Sequence, residues 1–238
     1  MKFQIILIIF ITALFLSSCK KDNLKDNKYY TLTPFNRIEL NSTFDVYLNE
    51  DSNYSINIVG DKNIIENITF YIEDNILKIS NKQKLKWLTP TKNKVELYIN
   101  SKPLRMIVAK QTCNINTLSA ITSDVIGLVL SSKANQANLE LNCNEFYYWN
   151  DFPCGGKLTL YGKTEKIKLW NFAIMSIDAK NLITNYALVE NSSKGNCEVT
   201  VLKEFEYSIF GTGDIILNGS PPKIIENQLK SSGALIKH

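Results

Sequence analysis

Beyond residue 30 the chain alternates apolar and polar side chains in short runs. Ile38 and Leu40 alternate with Arg37 and Glu39, and Phe44, Val46 and Leu48 with Asp45 and Tyr47. Ile56 and Ile58 alternate with Ser55 and Asn57, and Val95, Leu97 and Ile99 with Glu96 and Tyr98. A period of two over about four to six residues predicts half-buried strands. A single helical signal stands out. Asp61 is placed to cap a turn or two in which Ile64, Ile65 and Ile68 share one face. No long apolar stripe of helical period follows, so the pattern predicts an all-β protein.

The second half carries a repeat. Trp149-Asn150, Trp170-Asn171 and Glu190-Asn191 lie 21 and 20 residues apart, and Phe210-Gly211 follows another 20 on. Apolar pairs keep step with them: Phe146 and Tyr148, Ile167 and Leu169, Ala187 and Val189, Tyr207 and Ile209. Leu139, Leu158, Ile177 and Val199 form a second series at steps of 19, 19 and 22. Two strand segments per unit of about 20 residues, with Asn recurring at one corner, predict a parallel β-helix or solenoid-like fold. Asn at a stacked turn can hydrogen-bond along the stack, and both Asn and Gly tolerate a left-handed backbone. The competing reading is an antiparallel meander with chance spacing. The period blurs before residue 128, so register there is not fixed by the sequence.

The first residues read as an address. Ile5 to Phe15 is an apolar run of signal-peptide length, too short to span a bilayer. Leu16-Ser17-Ser18-Cys19 follows and resembles the bacterial lipobox, which implies cleavage before Cys19 and lipidation of that residue. The expected organisation is a signal peptide over 1–18, a lipidated Cys and polar tether over 19–30, and a single β-solenoid domain over 31–238. Lys20-Lys21-Asp22 partly resembles the signal that sends some Bacteroidetes lipoproteins to the cell surface. The expected location is therefore the cell envelope, as an outer-membrane lipoprotein either surface-exposed or periplasmic, with the membrane as a partner through the lipid anchor.

Composition removes several function classes. The formal charge of +4 is too small and too dispersed to argue for nucleic acid as a partner. Cys113, Cys143, Cys154 and Cys197 form no CxxC pair, which argues against zinc; they read either as buried thiols or as disulfides of undetermined pairing. The only histidine is the last residue, His238. No Walker A sequence and no GxGxxG occurs, so neither cofactor nor metal is expected. Asp61, Asp124, Asp151 and Asp214 adjoin Gly, Ser or Asn, as turn carboxylates do. Asp45 and Asp178 sit beside apolar residues instead. Glu39, Glu96, Glu140 and Glu198 alternate with apolar neighbours or Cys, as the wet face of a strand does.

The candidate recognition surface is aromatic. If Phe146, Tyr148, Ile167 and Leu169 point inward, their neighbours point outward. That reading puts Tyr147, Trp149, Trp170 and Phe210 on one outer face, with Lys168 and Glu190 among them, as candidate ligand-binding residues. Such a column fits a sugar ring or an apolar patch on a partner. The competing reading is that the rings cover a sheet edge. Trp87 and Tyr98 could extend the column, but nothing in the sequence fixes their side. Lys82 to Lys94 reads as an exposed loop.

Phe35-Asn36-Arg37-Ile38, Phe44-Asp45-Val46-Tyr47-Leu48, Ile56-Asn57-Ile58-Val59-Gly60-Asp61 and Leu77-Lys78-Ile79 stand in an order that resembles the head GIN domain family. These are Bacteroidetes lipoproteins also called "putative auto-transporter adhesins". Gly211-Thr212-Gly213-Asp214, Leu217-Asn218-Gly219 and Ser231-Ser232-Gly233 resemble that family's closing repeats. The resemblance covers roughly residues 30–238 and implies an all-β, solenoid-like fold with no catalytic residues to carry over. The chain is poorer in Gly and richer in Asn, Lys and aromatics than the family pattern. The resulting expectation is an envelope-anchored, non-enzymatic binding or adhesion module, with a glycan or an envelope or host protein as partner. The alternatives are a carbohydrate-processing β-helix enzyme and a structural piece of an envelope assembly.

Overall fold

The computed structural model describes residues 25–83, 94–151 and 153–238. Its strands are β1 (Lys25–Thr31), β2 (Arg37–Leu40), β3 (Phe44–Asn49), β4 (Ser55–Asp61), β5 (Ile68–Glu73), β6 (Ile76–Asn81), β7 (Glu96–Asn100), β8 (Met106–Ala109) and β9 (Cys113–Thr117). They continue with β10 (Val125–Leu130), β11 (Asn135–Asn150), β12 (Gly155–Ser193), β13 (Cys197–Ile209), β14 (Ile215–Asn218), β15 (Lys223–Leu229) and β16 (Leu235–Lys237). One short helix, α1 (Lys62–Ile65), follows β4. The strands join in one 16-stranded sheet, curled into a β-solenoid of about 6 turns with rungs of about 21 residues. The expected solenoid is the observed fold.

The curled sheet has two walls. One runs β5-β6-β2-β8-β10 and on into the second half of β11; the other runs β1-β4-β7-β3-β9 and into its first half. β11, β12 and β13 are long because the chain rounds the corners without leaving strand conformation.

The rung formed by β2 and β3 lies between two rungs made later in the chain. β2 pairs with β6 on one side and β8 on the other, and β3 likewise with β7 and β9. The chain lays this rung, builds one end through β4, α1 and β5, returns through β6 and β7, and then crosses over to β8. From β8 onward spatial order follows sequence order. This explains why the period is legible only in the second half.

The interior is a column of fully buried side chains, including Ile38, Leu97, Ile107, Leu128, Phe146, Leu169, Val189 and Phe205. Each such burial stabilises by about 1.5–3 kcal/mol. Alternation predicted the inward residues correctly: every apolar residue it places inward, in the alternating runs and in the repeat, is buried. One corner is polar inside. Asn150, Asn171 and Asn191 are buried there, and Asn191 donates to the carbonyls of Gly195 and Gly213 at 3.1 and 2.9 Å. These amides satisfy backbone groups that the tight corner cannot pair within the sheet.

Both ends of the stack are blunted. Asp61 caps α1 by accepting from the Asn63 amide at 2.9 Å, and Ile64 and Ile65 plug the first end. Ile68 belongs to β5 rather than to the helix. At the other end the last rung puts Glu226 beside Tyr207 and Lys237 beside Leu217, charged residues at core-facing positions. Charge at such positions opposes edge-to-edge stacking.

Two sequence expectations are corrected. Lys25–Tyr30, read as tether, belong to β1, which pairs antiparallel with β4 along its whole length. This polar edge strand is held by backbone bonds and shows no apolar period. The step of 20 from Glu190 to Phe210 is also not the register. Glu190 pairs with Ser208, and Ala187 and Val189 pair with Phe205 and Tyr207. The cause lies in two irregularities at the preceding corner: β12 has extra residues between Ala179 and Ile183, only partly offset by one extra in β13 opposite Thr184 to Tyr186. The second series is offset similarly: Leu139 pairs with Leu160, and Ile177 with Cys197. Cys113, Cys143, Cys154 and Cys197 are all buried free thiols.

Candidate functional site

β11 and β12 run parallel in register, and this sets Trp149 directly beside Trp170 and Tyr147 beside Lys168. All four alternate with the buried Phe146, Tyr148, Ile167 and Leu169, so they project from the outer face and are half-buried. The Tyr147 and Trp149 rings are stacked, with centroids 5.8 Å apart and planes 8° from parallel.

Tyr147 lies down over the sheet. A Cβ on Gly127 would sit 2.3 Å from its ring, and its hydroxyl points to Met106 Sδ at 3.9 Å. Gly127 is thus the seat that lets the ring lie flat. Val129, beside Trp149 in register, is only 5% exposed although it faces outward. The result is an apolar platform on the wall formed by β10, β11 and β12, ending in Trp149 and Trp170.

Phe210 is not part of this platform. The register slip carries it past the end of β13 into the corner, where it is 38% exposed and Lys230 Nζ lies 5.9 Å from its ring centroid. Glu190 does project from the platform's wall, half-buried, with Ser208 as its partner. Tyr98 lies on the opposite wall, stacked on Tyr47 at 4.8 Å. Trp87 and Cys19 lie outside the described residues, as does most of the Lys82–Lys94 loop.

An open groove of about 510 Å³ adjoins the platform along the same strand. Lys166, Lys168 and Trp170 are successive outward residues of β12, so the groove begins about 7 Å from Trp170 at ~3.3 Å per residue. Lys203 and Tyr186 line its far side. Its carboxylates are already engaged: Glu165 accepts from Asn185 at 2.6 Å, and Glu204 pairs with Lys223 at 2.6 Å. Lys168 pairs with Glu145 at 2.8 Å. A half-exposed pair of this kind stabilises by at most about 1 kcal/mol, so its effect is to fix the ammonium beside Tyr147. Tyr186 donates to Glu206 at 3.0 Å, and burial together with that carboxylate pushes its phenol up to about 12. Sequence alternation shows Lys166 and Lys168 outside; the arrival of Lys203 depends on the irregular corner and could not be read from spacing.

The remaining chemistry is structural. Asp61 caps a helix, Asp151 accepts from Ser131 at 2.9 Å, and Asp214 accepts from the Ala234 amide at 2.9 Å. Asp45 and Asp178 pair with Lys94 and Lys157. Glu50 accepts from the backbone and side chains of both Thr122 and Ser123, fastening that turn to the β3 rung. No group of three His, Cys, Asp or Glu among the described residues could hold a metal ion. No described helix is long and apolar enough to cross a membrane. A second recess, of about 330 Å³, lies at the corner between Lys133 and Lys194, walled by Pro153, Cys154, Ala173 and Ile174.

Residues 34–221 match the sequence profile described as "Putative auto-transporter adhesin, head GIN domain". No curated protein sequence matches the chain. Among solved structures the fold resembles a "putative adhesin" from Bacteroides fragilis NCTC 9343, with TM-score 0.80 and 20% identity over 90% of this chain and 97% of that one. It also resembles a "putative lipid binding protein" from Parabacteroides distasonis ATCC 8503, with TM-score 0.67 and 15% identity over 92% and 98%. A "putative adhesin" from Parabacteroides merdae ATCC 43184 gives TM-score 0.57 and 17% identity over 90% and 96%.

Proposed function

The chain belongs to the head GIN domain family, described as "Putative auto-transporter adhesin", and on that premise we propose that it is an envelope-anchored, non-enzymatic module that binds glycans through one wall of the solenoid. The observation that carries this reading is the in-register pair Trp149 and Trp170, half-buried on the outer face beside the stacked Tyr147. Aromatic faces on a rigid sheet accept the apolar face of a sugar ring, and side chains held by packing lose little entropy on binding. Anchoring is assigned to a lipid on Cys19, with the polar residues up to β1 as the tether.

A hydrolase or lyase on the same fold needs free carboxylates facing a groove. The two in the groove, Glu165 and Glu204, are occupied by Asn185 and Lys223. A purely structural role by end-to-end stacking is disfavoured by Glu226 and Lys237 on the last rung. The test of the binding reading is a calorimetric titration with oligosaccharides, whose heat signal does not depend on the two indoles the variant removes. A saturable change that vanishes in W149A/W170A supports it, and binding that persists unchanged in that variant rejects the platform.

A second reading has its own observation. The corner recess is apolar and flanked by two lysines, which fits the acyl chain and anionic head of an amphiphile. One structure of similar fold bears the name "putative lipid binding protein". Displacement of a fluorescent fatty acid, abolished in I174D, would favour this recess; no displacement would remove it.

A further inference from the structure

The groove beside Trp170 differs from the platform in its charge. It gathers Lys166, Lys168 and Lys203 within one concavity of about 510 Å³. Lys168 is neutralised by Glu145, and Glu204 by Lys223, whereas Lys166 and Lys203 have no ion-pair partner among the described residues. Glu165 accepts from the Asn185 amide and keeps its negative charge, so the lining's three lysines against two glutamates leave the groove one net positive charge. The side chains not already engaged are therefore two ammonium groups on opposite sides of a groove that opens onto an aromatic platform.

We propose that this groove selects the ligand's charge: the glycan is acidic, and Lys166 and Lys203 receive a carboxylate or sulfate on the sugar next to the one on Trp170. This rests on the platform reading above. Lys166 stands four residues from Trp170 on one strand, about 13 Å at ~3.3 Å per residue, so a sugar on the indole leaves its neighbour over the groove. An anion placed between two otherwise unpaired cations at the rim of an apolar surface gains both attraction and orientation. A neutral glycan would leave the lysines hydrated and gain only the platform.

The test uses the full chain with three probes: dextran, dextran sulfate and polygalacturonate. The last two separate sulfate from carboxylate, and the first two share a backbone. Affinities are compared for the unaltered protein, for K166Q/K203Q, and for K62Q/K102Q, which removes the same charge far from the groove. The expected result is that at least one acidic polymer binds on the order of tenfold more tightly than dextran. That preference should disappear in K166Q/K203Q and survive in K62Q/K102Q. Acidic polymers binding no better than dextran, or a preference lost equally in both lysine variants, would overturn the inference. The platform is judged separately by W149A/W170A. Loss of binding there with the acidic preference intact in K166Q/K203Q keeps the platform and rejects the groove. Loss only in K166Q/K203Q keeps an anion site and rejects the platform, and with it the assignment to a glycan.

Discussion

Asn171 Nδ2 donates to Asn191 Oδ1 at 3.1 Å, one rung further along the buried corner of the solenoid. The same Nδ2 reaches the Met175 carbonyl at 2.9 Å, and Asn191 in turn bonds Gly195 and Gly213. Each amide thus ties its own turn to the next. Replacing Asn191 with Ala removes several buried hydrogen bonds and leaves backbone carbonyls unpaired. The expected cost is about 3 kcal/mol, from roughly 1 kcal/mol per bond plus the penalty for buried unpaired groups. Urea denaturation should show that loss for N191A and almost none for the exposed N227A.

Two glycines should respond differently to a methyl group. At Gly156, φ is +122° and a Cβ would stand 1.7 Å from the Asn135 carbonyl oxygen, against backbone. G156A should cost more than about 3 kcal/mol, because the backbone has nowhere to move. At Gly127 the obstruction is the end of the Tyr147 ring, which can swing away. G127A should cost about 1 kcal/mol while releasing Tyr147 from its stack on Trp149. Thermal unfolding reads the first difference, and near-UV circular dichroism reads the second.

Acid should loosen the turn held by Glu50. Burial alone pushes this carboxyl up, but hydrogen bonds from Ser123 and Thr122 outweigh it and hold the group below its ordinary value of 4.5. The folded value is below the unfolded one. Its contribution is therefore present above the unfolded value and lost as pH falls through the folded value. E50Q should lose about 1 kcal/mol at neutral pH, a small figure for a partly exposed group, and should decline less than the unaltered protein below pH 4.5. Stability measured across that range checks the sign.

The four described cysteines should be chemically silent. Burial pushes Cys113, Cys143 and Cys197 up to about 12 and also raises Cys154. Thiolate is the reactive form, so mildly alkaline iodoacetamide should leave all four unmodified in the folded protein and label all four in denaturant. Peptide mass spectrometry reads each site, and rapid labelling of any one in the native state would contradict its placement.

The sequence made the fold legible where spatial and chain order coincide. From β10 onward alternation identified Phe146, Tyr148, Ile167 and Leu169 as core, and by exclusion Tyr147, Trp149 and Trp170 as surface. It failed where neighbours in space are not neighbours by period. β2 and β3 are enclosed by strands made 40 to 70 residues later, so no constant step relates the first rungs. Phe210 was misplaced because a bulged corner shortens the last step from 20 residues to 18, while the composition of the corner gives no sign of it. Lys203 was missed for the same reason. β1 was hidden because an edge strand held by backbone bonds needs no apolar side chains.

The central claim is that Trp149 and Trp170 form a recognition platform. Its most direct test is a glycan-array and envelope-fraction binding screen of the protein beside W149A/W170A, with circular dichroism confirming that both are folded. The account predicts specific binding by the intact protein that is lost in the folded variant. Binding that survives the double substitution, or no binding by the intact protein, would contradict it.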